Sequence, residues 1–253
     1  MTVGQDNAIT TSAPGAEPKP NSFQRIIGVL FSPDATFASI ARRPDWVVPL
    51  VLLLLISLAA GIIIAPHVDF GSAAREAMEQ NKNASPEQID KSVRIAASIG
   101  KVFSYISPVL SLIGLLVIAG VCLLAFRIFG GEGDFKQAFS VTCYASMPTI
   151  LKTVVTLIII VAKGGIIPAQ ALATIVRSNL GFLVDYKTNP MAFALLTSFD
   201  IFSVWFLALL IIGFSYVARV SKAKAAVTII SLWVIVLLLK LIGPALQSLR
   251  ANK

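Results

Sequence analysis

A series of long apolar runs limits what this chain can fold into. They are too long, and too free of charge, for a soluble fold to cover. A helix needs about 20 mainly apolar residues to cross about 30 Å of hydrocarbon. Residues 46–65 reach that length without one charge. Residues 102–126 follow, interrupted by Pro108. The run 149–162 is too short alone, so its helix is expected to start near Gln137 and to carry Pro148 inside a span of 137–162. Residues 192–217 and 225–246 complete the set. Composition agrees: 56% of the residues are apolar and 13% charged, and the mean hydropathy is +0.82. A soluble surface needs roughly twice that charge. The expected fold is all-α, an integral membrane bundle of five transmembrane helices, and the odd number of spans sets the termini on opposite sides.

The chain divides into a polar tail (1–21), a membrane domain (22–247) and a short C-terminal tail (248–253). The tail contains Pro14, Pro18 and Pro20 and lacks the basic-then-apolar order of a signal peptide. It cannot bury enough surface to fold. After it, Phe23, Ile26, Ile27, Leu30 and Phe31 keep to one helical face. Ser32 and Pro33 then read as an N-cap followed by proline at the first helical position. That second helix should turn Phe37 and Ile40 inward and end near Arg42 and Arg43. Both are amphipathic helices suited to the membrane interface, or to packing on the bundle. Cys122 and Cys143 have no C-x-x-C spacing and His67 is the sole imidazole. No metal and no cofactor is therefore expected, and the cysteines read as packing residues. Nothing in the chain calls for nucleic acid.

Basic residues are nearly balanced between the two sides. Arg219, Lys222 and Lys224, however, crowd one short turn, and short loops weigh most in orientation. The N-terminus is thus expected in the cytoplasm and the C-terminus outside. In the loop after the first span, Ser85 and Gln88 form a capping-box pattern with Pro86 at the first helical position. The helix they start should run into the second span. The loop 164–190 is unusually apolar and predicts a surface-lying or re-entrant helix.

Lys152, Asp200 and Lys240 fall within the expected spans. Charges there are costly and are functional suspects. Their depths predict an ion pair between Asp200 and Lys240, with Lys152 left as an unpaired intramembrane charge. Gly131-Glu132-Gly133-Asp134 and Pro244-Ala245-Leu246 look like pieces of an intramembrane aspartyl protease. That chemistry needs two carboxylates a few Å apart, whereas Asp134 lies in a polar hairpin with no Tyr-Asp on a preceding span. A hydrolase is the remotest reading, and no catalytic residue is assigned.

The hairpin between the second and third runs carries GG-x-G-x-F and then Tyr-x-x-x-Pro: Gly130, Gly131, Gly133, Phe135, Tyr144 and Pro148. Downstream, Asp200, Ile201, Phe202 and Trp205 form DIF-x-x-W. Together with Ser32-Pro33 and Pro44-Asp45-Trp46, these residues resemble the Yip family of Ypt/Rab-interacting membrane proteins, and its bacterial branch most of all. The resemblance covers roughly 23–243. It implies five spans, a cytosolic N-terminus, a bacterial plasma membrane location and an architectural role for Asp200. It also implies a non-enzymatic, membrane-embedded adaptor or organiser. Its partners would be the lipid bilayer, other membrane or cytosolic proteins, and further copies of itself. The small GTPases bound by eukaryotic members are not carried over. A small-solute or ion transporter or channel using Lys152, Asp200 and Lys240 is the alternative.

Overall fold

The computed structural model describes residues 21–79 and 84–251; the expected polar tail, apart from Asn21, lies outside them. The first two helices are short: α1 (Ser22–Phe31) and α2 (Pro33–Arg42). The long apolar runs follow as α3 (Val47–His67) and α6 (Ser107–Ile128), separated by α4 (Ser72–Glu79) and α5 (Pro86–Tyr105). The third run is split into α7 (Phe135–Ala145) and α8 (Met147–Lys163). The fourth consists of α9 (Pro190–Leu196) and α10 (Ile201–Val217), bent by 49° at the break. The last helix is α11 (Lys222–Ala251). Among the described residues, four helices are long and apolar enough to cross a bilayer, counting Phe135–Lys163 as one, and the bent pair makes up to five. The molecule is an all-α membrane bundle.

Prolines set the breaks. Pro148 has no N–H for the i−4 carbonyl, so the third run divides at Ser146, where α8 begins with Met147-Pro148. Pro108 does the same at the start of α6. This corrects the expected second span: residues 102–105 belong to α5, and the crossing helix is Ser107–Ile128. Capping works as the sequence indicates for α5, where Ser85 and Gln88 form a reciprocal box behind Pro86. It does not at Ser32, whose side chain makes no capping bond; Thr36 Oγ1 instead donates to its carbonyl at 2.9 Å. The last helix runs through Ala251, past its expected end at 246.

The core lies towards the end of the bundle that holds the hairpin, the hairpin face. There α7 is enclosed beyond its first turn, with every residue from Ala138 to Ala145 buried. A helix buried all round must satisfy its own polar groups. Ser140, Thr142 and Ser146 do so by donating to carbonyls four residues back, at 2.7, 2.9 and 2.8 Å. Phe37 and Ile40 of α2 are fully buried in this core. At Gly213 of α10 a Cβ would lie 2.4 Å from Val141 Cγ1, so glycine there lets α10 press onto α7.

The opposite, far face is built from loops. The expected helix over 164–190 is replaced by two 3₁₀ turns, Ala169–Ala173 and Leu180–Leu183. A two-residue parallel bridge pairs Val68 with Ile167. Gly164, Gly165, Pro168 and Gly181 leave at most the twelve residues 169–180 uninterrupted, a length at which an isolated helix is marginal.

Candidate functional site

At the hairpin face, the turn between α6 and α7 is fixed by its glycines. Gly130 (φ +77°) and Gly133 (φ +104°) occupy backbone conformations that L side chains rarely adopt. At Gly133 a Cβ would also lie 2.6 Å from Val217 Cγ1. Gly131 N–H donates to Phe126 O at 2.8 Å, and Glu132 N–H to Ala218 O at 3.0 Å. Asp134 is the N-cap of α7. Its Oδ1 accepts from Gln137 N–H at 2.8 Å, and Gln137 Oε1 accepts from Asp134 N–H at 3.0 Å. Gln137 also reaches α2, donating to Ala41 O at 2.7 Å. The aspartate that imitates a protease motif is therefore a helix cap. It stands at the Val217 end of α10, and the 17 residues of that helix separate the ends by about 25 Å. Asp134 and Asp200 do not form a carboxylate dyad.

The same face is tied to α1, α2 and the turn before α11. Arg219 pairs with Glu132 at 2.7 Å, and Lys224 Nζ donates to Phe129 O at 2.7 Å. Asp34 pairs with Lys222 and accepts from Tyr216 Oη at 3.1 Å. The Lys222 ammonium, followed by the Tyr216 hydroxyl, outweighs desolvation and holds the Asp34 carboxyl below its ordinary value. Arg25 of α1 points inward and is 8% exposed. It donates to Arg43 O at 2.9 Å and to Ser39 Oγ at 3.2 Å. Ser22 donates to Asp45. Tyr144 is fully buried beneath this polar group, in the electrostatic reach of Asp45, Ser22 and Arg25. The outer side of α1 is apolar: Phe23, Ile27 and Phe31 are 68%, 61% and 79% exposed. Phe135 stacks on Phe139, which meets Trp46.

The second region is the break in the fourth run. Asp200 is the N-cap of α10, with Oδ1 accepting from Phe202 N–H at 2.9 Å. Its Oδ2 accepts from Lys152 Nζ at 2.9 Å, from Ser178 Oγ, and from Asn179 Nδ2 at 3.4 Å. The carboxylate is 1% exposed and the Lys152 side chain 32%. The expected pairing is thus corrected: Asp200 binds Lys152, and Lys240 donates to Ser198 Oγ at 2.9 Å. Depth permits this pairing. Lys152 lies seventeen residues beyond Phe135, and Asp200 seventeen before Val217. Both stand about 25 Å above the hairpin end, once α7 is counted with α8. Trp205, one turn below, is half-buried against the core.

Lys152 also borders two cavities. The larger, of about 1040 Å³, lies among α3, α5, α6 and α8, and Ser57, Ser107 and Thr153 interrupt its apolar lining. The smaller, of about 410 Å³, separates Lys152 from Lys240.

The Yip1 domain matches residues 27–242. A curated relative, membrane protein YknW of Bacillus subtilis (strain 168), is 24% identical over 233 residues, which span 92% of this chain and 94% of that protein. No solved structure matches.

Proposed function

The chain belongs to the Yip1-domain family of multi-pass membrane proteins, and on that premise we propose that it is a non-enzymatic, membrane-embedded adaptor whose hairpin face docks other proteins. The observation that carries this reading is the polarity of α1. A helix packed on a core normally turns its apolar stripe inward. Here Val29, Ile26 and Leu30 pack inward, but Arg25 is buried beside them and a second apolar side, Phe23, Ile27 and Phe31, faces out. The helix is held in that orientation from beneath by Arg43, Ser39 and the Asp34–Lys222 link next door. A rigid plate with exposed aromatic residues at its edge suits protein contacts, in which buried aromatic anchors carry most of the energy. Hairpin and α1–α2 lie in the cytoplasm on this reading, in the plasma membrane of a bacterium. The transporter reading draws on the larger cavity, but the one cation that lines it among the described residues, Lys152, is engaged by Asp200.

The test is photocrosslinking in intact membranes, with a benzophenone amino acid at Phe31 or Phe129 and a far-face control at Phe182. Discrete protein adducts from the first two positions and none from the third are expected. Identical patterns from all three, or none above background, would defeat the proposal.

A further inference from the structure

The smaller cavity has a composition that the adaptor role does not use. It lies between α8, the α9–α10 break and α11, and Lys152, Lys240, Thr197, Ser198, Ser203 and Trp233 line it. Two ammonium groups thus face one space with a single carboxylate beside them. That carboxylate is saturated. Asp200 Oδ2 receives Lys152, Ser178 and Asn179, and Oδ1 receives the Phe202 N–H. Lys240 makes no ion pair among the described residues; its ammonium reaches only Ser198 Oγ. One positive charge is therefore left without a counter-charge among the described residues.

Depth narrows the answer. Lys240 stands eighteen residues above Lys222, about 27 Å along a bilayer core of about 30 Å. It therefore approaches the layer where lipid phosphates lie. The larger cavity adjoins at Lys152 and is walled by Leu53, Ile56, Ile99 and Phe103, which is lining for a hydrocarbon chain. A phosphate above an apolar groove is the chemistry of an anionic phospholipid.

We propose that Lys240 and Lys152, with Ser198 and Ser203, form a binding site for the phosphate of an anionic phospholipid, whose acyl chain occupies the adjoining groove. The hydroxyls supply neutral donors to oxygens that the Lys240 ammonium holds by a charge-assisted bond, while Lys152, still paired with Asp200, adds positive potential.

The experiment uses the purified full chain in detergent. Phosphatidylglycerol, phosphatidylcholine or inorganic phosphate is titrated in, with retention read by native mass spectrometry and the tryptophan fluorescence change, to which Trp233 contributes, as a second signal. Wild type should retain phosphatidylglycerol over phosphatidylcholine. Lys240→Met should weaken that retention about tenfold or more, the loss of one charge-assisted contact, and Lys240→Arg should preserve it. Lys240 is exposed and makes one bond, so Lys240→Met is expected to fold; an unchanged circular dichroism spectrum and elution volume check this. Binding of inorganic phosphate that depends on Lys240, without lipid selectivity, would retain the phosphate site and discard the lipid. Retention of phosphatidylglycerol that is indifferent to Lys240, or equal to that of phosphatidylcholine, would overturn the proposal.

Discussion

Asp200 does two jobs with two oxygens. Oδ1 caps α10, while Oδ2 gathers Lys152, Ser178 and Asn179. Asp200→Asn keeps a capping oxygen and removes the charge, leaving Lys152 alone in the membrane. Removing one partner of a buried pair typically costs about 3–5 kcal/mol, and that loss is expected here. Lys152→Met should cost a similar amount, because it strands a carboxylate that is 1% exposed. The double variant should lose much less than the sum, since no unpaired charge remains. Thermal unfolding in detergent of the four proteins measures the coupling. Additive costs would show that the two charges fold independently.

At the scale of elements, the local rules were readable and the bend between α9 and α10 was not. The Ser85–Gln88 box, Pro33 and Pro86 at helix starts, and the inward Phe37 and Ile40 all stand where periodicity and capping put them. Asp134-x-x-Gln137 and Asn21-x-x-Gln24 are the same kind of box. Both boxes are written in the sequence, the one at Asp134 within a segment that also resembles a protease motif. The Asp200–Lys152 pair is not legible in the sequence because Lys152 and Lys240 stand at similar depths, and the fold alone brings the Lys152 ammonium onto the carboxylate. The loop 164–190 was missed because apolar content outweighed its glycines and prolines. The hairpin itself gives a graded prediction. Gly130→Ala meets open space but a positive φ, and should cost about 1–2 kcal/mol. Gly133→Ala adds a collision with Val217 side chain and backbone at 2.6 and 2.9 Å, and should cost more. Gly114→Ala in α6 has nothing within 4 Å and gains helix propensity, so it should be neutral or stabilising. Melting temperatures in detergent should fall from Gly114→Ala through Gly130→Ala to Gly133→Ala, and equal effects at 130 and 133 would contradict the packing of the hairpin on α10.

Across the whole molecule, each face is closed by contacts between segments far apart in sequence. On the hairpin face, α2 is tied to the start of α11 through Asp34 and Lys222. On the far face, Glu76 of α4 accepts from the Tyr186 hydroxyl and pairs with Lys187 at 3.0 Å, while Ser72 Oγ reaches Gln170 Oε1 at 3.0 Å. The Tyr186 hydroxyl and then the Lys187 ammonium lower the Glu76 carboxyl below its usual 4.5. Burial, and the hydrogen bond to Glu76, push Tyr186 up to about 12. A lowered carboxyl contributes stability above its unfolded value and loses it as pH falls through the folded one; a raised phenol contributes below its unfolded value and loses it as pH rises through the folded one. The clamp should therefore be intact across neutral pH and loosen at both extremes, in acid through Glu76 and near pH 12 through Tyr186. Hydrogen-exchange protection of residues 169–190 reports it. Protection should drop when pH is taken below the depressed range of Glu76, and Glu76→Gln should show the lower protection already at neutral pH while losing the acid limb. Because α7 and its core lie at the other end of the bundle, their protection should not move with the loop. A parallel loss in both regions would mean that the far-face clamp is part of the global fold and not a local latch.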